Sequence, residues 1–370
     1  MYLRHLKLLN FKNYPEAEME FSAKINCFVG NNGCGKTNIL DAIYYLSFTK
    51  SYFNSIDSQN IRHGEDLMAI HGTYVRNEKK SETLHCIVQT GQAKKFSFNK
   101  TEYQRLADHI GLFPLVMVSP YDRDLINDGS EVRRKYIDGV ISQFDKEYLD
   151  HLLDYNKALA QRNMLLKQFA EQGYFDRSML EIWDEALLQH GTHIFNKRKE
   201  FLKEFLPLFH TFFEFVSGGM ELVNMEYTSQ LTENSFAELL KNNTDRDKAL
   251  RYTTTGIHKD DIEFRIAGYP IKKFGSQGQQ KSFVVAIKLA QFEYIRLTKG
   301  FKPILLFDDV FDKLDPSRVH QILQLVSENS FGQVFITDTQ PERIQSIFKQ
   351  ISIEHKVFEV KDHQLKQIHA

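Results

Sequence analysis

Apolar and polar residues alternate from Tyr2 to Leu8, and a second extended stretch runs from Ala17 to Phe21 beyond a turn expected at Pro15. Period two over such lengths predicts strands. The short apolar run Ile25 to Val29 leads into a glycine-rich turn, after which Ile39, Ile43, Tyr44 and Leu46 to Phe48 recur at helical spacing, giving strand, loop, helix. From Leu67 to Tyr103 the period returns to two, with polar turns at Asn77 to Lys80 and around Gly91, as in a small antiparallel meander.

After the apolar strand Leu115 to Val118 and the break at Pro120, the pattern becomes helical. Residues Glu131 to Ala170 and Ser178 to Phe215 carry Leu, Phe and Tyr three and four apart, with interruptions expected at Gly173 and Pro207. A strand near Met220 to Tyr227 and a short helix near Ser235 to Lys241 follow. No heptad persists long enough to predict an extended coiled coil. The last third alternates: strand Ile262 to Ile266, helix Gln279 to Leu297, strand Pro303 to Asp308, helix Pro316 to Glu328, strand Gln333 to Thr337, a helix after Pro341, and a strand near Lys356 to Lys361. That alternation predicts an α/β fold with a largely parallel sheet covered by helices.

Composition narrows the picture. A chain of 370 residues with 30 Phe and 16 Tyr supplies an extensive core and is long enough for two packed units. Lys and Arg number 47 against 48 Asp and Glu, a formal net charge of -1. This excludes a uniformly basic nucleic-acid coat, but not a local basic patch. No apolar stretch is long enough to span a bilayer, and Arg4 and His5 interrupt what would be the apolar part of a signal peptide, so a cytoplasmic protein with no membrane partner is expected. Cys27, Cys34 and Cys86 are odd in number and lack zinc-site spacing, which fits a reducing compartment.

The strongest chemical signal is Gly30-Asn31-Asn32-Gly33-Cys34-Gly35-Lys36-Thr37, a P-loop with two glycines five apart followed by Lys and Thr. It stands between a strand and a helix, as the motif requires. Backbone N–H groups of such a loop cradle ATP phosphates at a helix N-terminus, where the dipole favours negative charge. Lys36 would reach the β and γ phosphates, and the Thr37 hydroxyl would ligate Mg2+. Cys34 occupies a variable loop position and reads as a tolerated small residue.

A P-loop needs an acidic partner on another strand, and Ile304-Leu305-Leu306-Phe307-Asp308-Asp309 provides it. Asp308 is the expected magnesium residue and Asp309 the candidate base that orients water. A third element, Phe274-Gly275-Ser276-Gln277-Gly278-Gln279-Gln280, opens an amphipathic helix. Taken alone it is either an anion site or a plain helix cap.

The order of these parts, P-loop, long insertion, Ser-x-Gly-Gln turn, apolar strand with paired acids, then Asp312-Lys313-Leu314-Asp315, resembles the ABC-type ATPase head of SMC-like chromosome and repair proteins. Within that group the chain resembles the RecF family along essentially its whole length. The matches are Leu9-Asn10-Phe11-Lys12-Asn13-Tyr14, Thr37-Asn38-Ile39-Leu40-Asp41-Ala42-Ile43, Arg133-Arg134 after Ser119-Pro120, His258-Lys259-Asp260-Asp261, Lys288-Leu289-Ala290-Gln291 and Asp308-Asp309-Val310-Phe311. The resemblance implies a head lobe over 1–118 and 300–370, with the meander at about 67–103, and a helical lobe over 119–299 that carries the signature turn 274–280. It also implies an ATP-dependent homodimer. Ser276, the backbone of Gly278 and Gln279 of one subunit would meet the γ-phosphate held by the other, with Asp315 across the interface. Hydrolysis would release the pair. The family's partners would then be single- and double-stranded DNA at gap junctions, RecR, and functionally RecO and RecA.

Departures from the wider ABC pattern are visible. Asp338, within Thr337-Asp338-Thr339, stands where ABC transporters place a switch His; Ser119-Pro120-Tyr121-Asp122 lacks the magnesium-sensing Gln; and Asp309 is one methylene shorter than the usual Glu. The missing switch His, Asp309 and the SMC-like spacing disfavour the nucleotide-binding subunit of a transporter, and a small-molecule kinase would need no Ser-x-Gly-Gln turn and no dimer. A non-hydrolysing SMC-like clamp is the remaining alternative. Basic groups at Lys79-Lys80, Lys94-Lys95, Arg133-Arg134-Lys135, Lys197-Arg198-Lys199 and Lys272-Lys273 each read first as a solvated face, and together as candidate DNA contacts.

Overall fold

The computed structural model describes residues 1–76, 80–219, 221–310, 321, 331–348 and 353–368. The expected helix Pro316 to Glu328, apart from Gln321, the Asp312 to Asp315 segment, the turn residues 77–79 and Met220 lie outside these described residues. The chain divides into two compact units, one comprising Met1–Asp122, Phe215–Gly218 and Val285–Ala370, the other Arg123–Glu214 and Gly219–Val284.

The first unit contains two six-stranded sheets. In one of them β3 (Ile25–Val29), β8 (Leu115–Val118), β12 (Ile304–Phe307) and β13 (Val334–Asp338) are buried along their whole lengths. Continuous apolar runs of this kind are what a sheet covered on both faces demands. β14 (His355–Lys361), β3, β13, β12 and β8 run parallel in that spatial order, and β15 (Gln364–Ile368) closes the edge antiparallel to β14. Phe307 pairs with Val118 and Ile336, and Val29 with Asp338, so the carboxyl ends of four strands share one edge. In open α/β sheets that edge is where ligands bind.

The second sheet is antiparallel, ordered β2 (Tyr14–Glu20), β1 (Tyr2–Phe11), β4 (Leu67–Arg76), β5 (Lys80–Gln89), β6 (Lys95–Phe98), β7 (Thr101–Glu102). Its alternating inward residues, among them Leu6, Leu8, Ile70, Tyr74 and Cys86, share a core with Ile39, Ile43 and Leu46 of α1 (Lys36–Phe48) and with Phe335 and Phe358 of the parallel sheet. The chain reverses between β1 and β2 at Lys12 and Asn13, with Lys12 at φ 53°, and not at Pro15. Pro15 sits inside β2, an edge strand, where a missing N–H is tolerated.

The second unit is mainly helical. The stretch expected as one helix from Glu131 is two, α3 (Ser130–Ile141) and α4 (Lys146–Gln172), preceded by a single turn α2 (Asp124–Asn127). Asp145 caps α4 by accepting the Tyr148 N–H at 2.8 Å, and Gly173 ends it at φ 64°. α5 (Arg177–Ser217) spans 41 residues and continues through Pro207, against the expected interruption. Phe205, Phe209 and Phe213 on its flanking turns are buried, and Phe209 and Phe213 pack on Phe283. Burial of this aromatic face offsets the missing helical N–H. Short helices α6 (Phe236–Asn242), α7 (Thr244–Leu250) and α8 (Ile271–Phe274) and a three-stranded sheet of β9 (Val223–Thr228), β10 (Asp261–Ile266) and β11 (Tyr269–Pro270) complete the unit. α9 (Gln277–Lys299) starts here and ends in the first unit; α10 (Pro341–Phe348) follows β13. No described helix is long and apolar enough to cross a membrane.

Candidate functional site

The P-loop leaves β3 at Gly30 and enters α1 at Lys36. Its backbone needs glycine: Gly33 and Gly35 have φ of 80° and 112°, and a Cβ on Gly35 would come within 2.7 Å of Asn13 Nδ2 and the Tyr14 hydroxyl. Asn31, Asn32 and Gly33 lie exposed on the loop and Cys34 is half-buried. Lys36 is buried and donates from Nζ to the carbonyls of Gly30 at 2.9 Å and Asn31 at 3.0 Å, holding the ammonium across the loop mouth.

Beneath the loop, two threonines bind the acidic pair together. Thr37 Oγ1 donates to Asp308 Oδ1 at 2.8 Å, and Thr337 Oγ1 approaches the same oxygen at 2.9 Å and Asp309 Oδ1 at 3.3 Å. The Asp309 N–H donates back to Thr337 Oγ1 at 2.8 Å, with Asp309 held at φ 45°. Burial pushes the Asp308 carboxyl up to about 6, and the neighbouring Asp309 charge adds to this against the two hydroxyls and Lys36. A cleft of about 380 Å3 opens above, lined by Lys12, Thr37, Asn38, Phe53, Pro120, Tyr121, Asp308 and Asp309. A hydroxyl and a buried carboxylate in contact at the floor of a P-loop form an oxygen donor set that suits Mg2+.

Thr337 is the residue that reading the chain alone missed. It appeared there as the neighbour of an absent switch His, yet it ties both acids to the adjacent strand. Its position follows from the register, since it comes directly after Ile336, the partner of Phe307. Asp338, at the position of that His, is buried and paired with Arg343 at 2.7 Å. In the segment without a Gln, Asp122 turns into the protein. It accepts the Ser119 N–H and the Tyr52 hydroxyl and pairs with buried Lys288 at 2.7 Å.

The Ser-x-Gly-Gln turn belongs to the second unit. Ser276 Oγ accepts the Gln279 N–H at 3.2 Å, while Gln279 Oε1 accepts the Ser276 N–H at 2.6 Å. This reciprocal pair has the form of a capping box. The cap leaves Ser276 exposed, beside Lys272, Lys273 and the 62% exposed ring of Phe274, which packs on Tyr269. Gly278 lies in the first turn of α9, and the Gln279 amide donates to Glu221.

The basic groups separate clearly. Lys94 is committed to Asp57 and the Thr49 carbonyl, Arg133 to both oxygens of Asp261, Lys197 to Asp145, and Arg198 is buried against Asp138 and Asp260. These are structural cations. Lys272 and Lys273 are exposed and make no ion pair among the described residues.

A family model described as the RecF/RecN/SMC N terminal domain matches residues 2–362. A DNA replication and repair protein RecF from Flavobacterium johnsoniae is 51% identical over 358 residues, covering 97% of this chain and 99% of the relative. The chain belongs to the RecF family. A solved structure of the recombination mediator protein RecF with ATP in the RecFOR pathway superposes with a TM-score of 0.90 at 28% identity, covering 100% of this chain and 98% of that one. An Smc head domain from Pyrococcus furiosus reaches a TM-score of 0.59 at 18% identity and supports the fold alone. The fold is therefore an α/β ABC-type P-loop ATPase head with an antiparallel β subdomain and an inserted helical lobe, and the chain is a DNA replication and repair protein of the RecF type.

Proposed function

We propose that this RecF-family chain is an ATP-gated DNA-binding dimer with slow ATPase activity, which acts with RecR and RecO to help load RecA at junctions of single-stranded gaps with duplex. The observation that carries this reading is the Thr37–Asp308–Thr337–Asp309 cluster under the P-loop. Likeness to a RecF structure containing ATP supports the choice of nucleotide. The loop beyond Gly30, whose own N–H is donated to the Asp338 carbonyl, would turn N–H groups to the phosphates, and Lys36 would exchange its two loop carbonyls for phosphate oxygens. Thr37 and Asp308 are the residues that would hold Mg2+, which neutralises phosphate charge when bound. Asp309, fixed by Thr337, orients the attacking water and takes its proton.

The exposed Ser276 cap supplies the second half. Presented by a partner subunit, its hydroxyl and the first N–H groups of α9 would meet the γ-phosphate, so ATP binding joins two copies and hydrolysis releases them. Sedimentation with and without ATP and gapped DNA tests this for the wild type, Lys36→Ala, Ser276→Arg and Asp309→Asn. ATP-dependent dimers should form in the wild type, vanish in the first two variants and persist longer in the third. Monomers throughout, or DNA binding indifferent to ATP and to Ser276→Arg, would overturn the proposal.

A further inference from the structure

A cluster of imidazoles and one carboxylate in the helical unit has no part in the nucleotide chemistry. Glu147 and His151 lie one turn apart on α4, and His190 and His193 lie three residues apart on α5. One ligand atom from each of Glu147, His151 and His193 falls within 4.8 Å of the other two. The His151 and His193 rings stack with centroids 3.9 Å apart, and His151 Nε2 stands 4.0 Å from Glu147 Oε1. His193 Nε2 is buried without a hydrogen-bond partner among the described residues. An imidazole nitrogen left unpaired out of water carries a desolvation cost unless something binds it.

The remaining histidine completes the arrangement. His190 Nδ1 lies 2.9 Å from His151 Nδ1. When His151 donates its Nδ1–H to His190, its Nε2 lone pair faces Glu147, the orientation that an outer hydrogen bond imposes on a metal-binding histidine. On the open side a cavity of about 340 Å3, lined by Lys146, Glu147, Asp150, His151, Asp154 and His190, gives access from solvent.

We propose that Glu147, His151 and His193 bind one divalent transition-metal ion of the zinc class, with His190 as the residue that positions His151. Two imidazoles and a carboxylate suit Zn2+, Co2+ or Ni2+, whereas Mg2+ prefers oxygen ligands throughout. Tetrahedral coordination at metal–ligand distances of about 2.0–2.2 Å needs donor atoms roughly 3.3 Å apart. Rotation of the His193 ring out of its stack on His151 is the movement that closes the set. The bound ion would link α4 to α5 and stiffen the helical unit.

The test uses the full chain without nucleotide, in excess Mg2+, titrated with Co2+ and then Zn2+. Wild type should take up one Co2+ per chain with the visible absorption of a four-coordinate nitrogen and oxygen site, displaced by Zn2+. His193→Ala and His151→Ala should abolish it, and Glu147→Gln should weaken it at least tenfold. His190→Ala should weaken it about 10- to 100-fold while retaining the spectrum. Zn2+ should raise the thermal midpoint of the wild type and not that of His193→Ala, with retained ATP binding reporting that the variant is folded. Unchanged Co2+ affinity in both His151→Ala and His193→Ala would overturn the proposal, as would a thiolate absorption lost on replacing Cys34.

Discussion

At the scale of single residues, each unit contains a histidine whose burial opposes its charging. His109 Nε2 lies 2.7 Å from the Leu46 carbonyl and Nδ1 lies 3.0 Å from the Tyr103 hydroxyl. His258 repeats the pattern with the Thr253 carbonyl at 3.1 Å and the Tyr155 hydroxyl at 2.7 Å. A carbonyl can only accept, so Nε2 carries the proton in both rings and Nδ1 receives the phenol. Burial lowers each imidazole from 6.5 to about 4. The unfolded chain therefore takes up these protons as pH falls through 6.5, and the folded one only near 4. The stabilising contribution is complete above 6.5 and disappears between 6.5 and about 4. Asp308, whose folded carboxyl titrates near 6, acts in the opposite sense over part of the same window, so the whole-protein curve mixes the two. Substitution isolates the histidine. The destabilisation caused by His258→Gln, measured by denaturant unfolding, should shrink by about 2–3 kcal/mol between pH 7.5 and pH 4.5; a constant difference would show that the ring takes up its proton at the same pH in the folded and the unfolded chain. The Asp122–Lys288 pair gives a second residue-level expectation. Both side chains are buried, and Asp122 also holds Ser119 and Tyr52. Lys288→Met should cost about 3–5 kcal/mol by leaving a buried carboxylate uncompensated, and much of this should return in the Asp122→Leu, Lys288→Met double variant.

At the scale of elements, the proposed dimer makes the turn before α9 the place where nucleotide binding in one copy would be felt by another. Gly275 has an ordinary negative φ, yet a Cβ there would lie 2.8 Å from the Ile271 carbonyl oxygen and 2.6 Å from its Cγ1. Gly275→Ala must therefore displace the Ser276 cap. ATP affinity measured by fluorescence titration should stay within about twofold, while ATP-dependent dimerisation weakens by about tenfold or more; unchanged dimerisation would remove the turn from the interface. The strands of the parallel sheet were legible in the sequence because burial on both faces writes an unbroken apolar run, and the P-loop because its glycines have fixed backbone roles. Other elements were hidden for physical reasons. The α3–α4 break at Ser142 to Asp145 carries no Gly or Pro and is set by the Asp145 cap. Pro207 looked like a helix end because local rules ignore the aromatic packing that carries α5 through it. β15 is short and mostly polar, an edge strand identifiable by its partner rather than by its pattern. Thr337 and the Asp122–Lys288 pair depend on residues far apart in the chain, which periodicity cannot reveal.

At the scale of the whole molecule, the net charge of -1 acquires a specific meaning once the basic groups are sorted. Arg133, Lys197, Arg198 and Lys94 neutralise acids of their own unit, so they add to the count of cations without adding to a DNA-binding face. Lys272 and Lys273 stand exposed next to the Ser276 cap. Of the basic groups singled out in the sequence, this pair stands free of ion pairs among the described residues, and the proposed assembly would bring two such pairs to the DNA. Each neutralised phosphate on duplex DNA contributes about -0.9 to the slope of log K against log salt concentration. If ATP assembles the DNA-binding form from two chains, the slope measured by fluorescence anisotropy on gapped DNA should roughly double in magnitude with ATP present. Ser276→Arg should retain the shallow slope under both conditions. Replacing both Lys272 and Lys273 with Gln removes four charges from a dimer and should flatten the ATP-bound slope by up to about 3.6, with little effect on dimerisation itself. An ATP-independent slope in the wild type would mean that a single chain already holds all the phosphate contacts, and that nucleotide controls something other than the assembly of the DNA-binding surface.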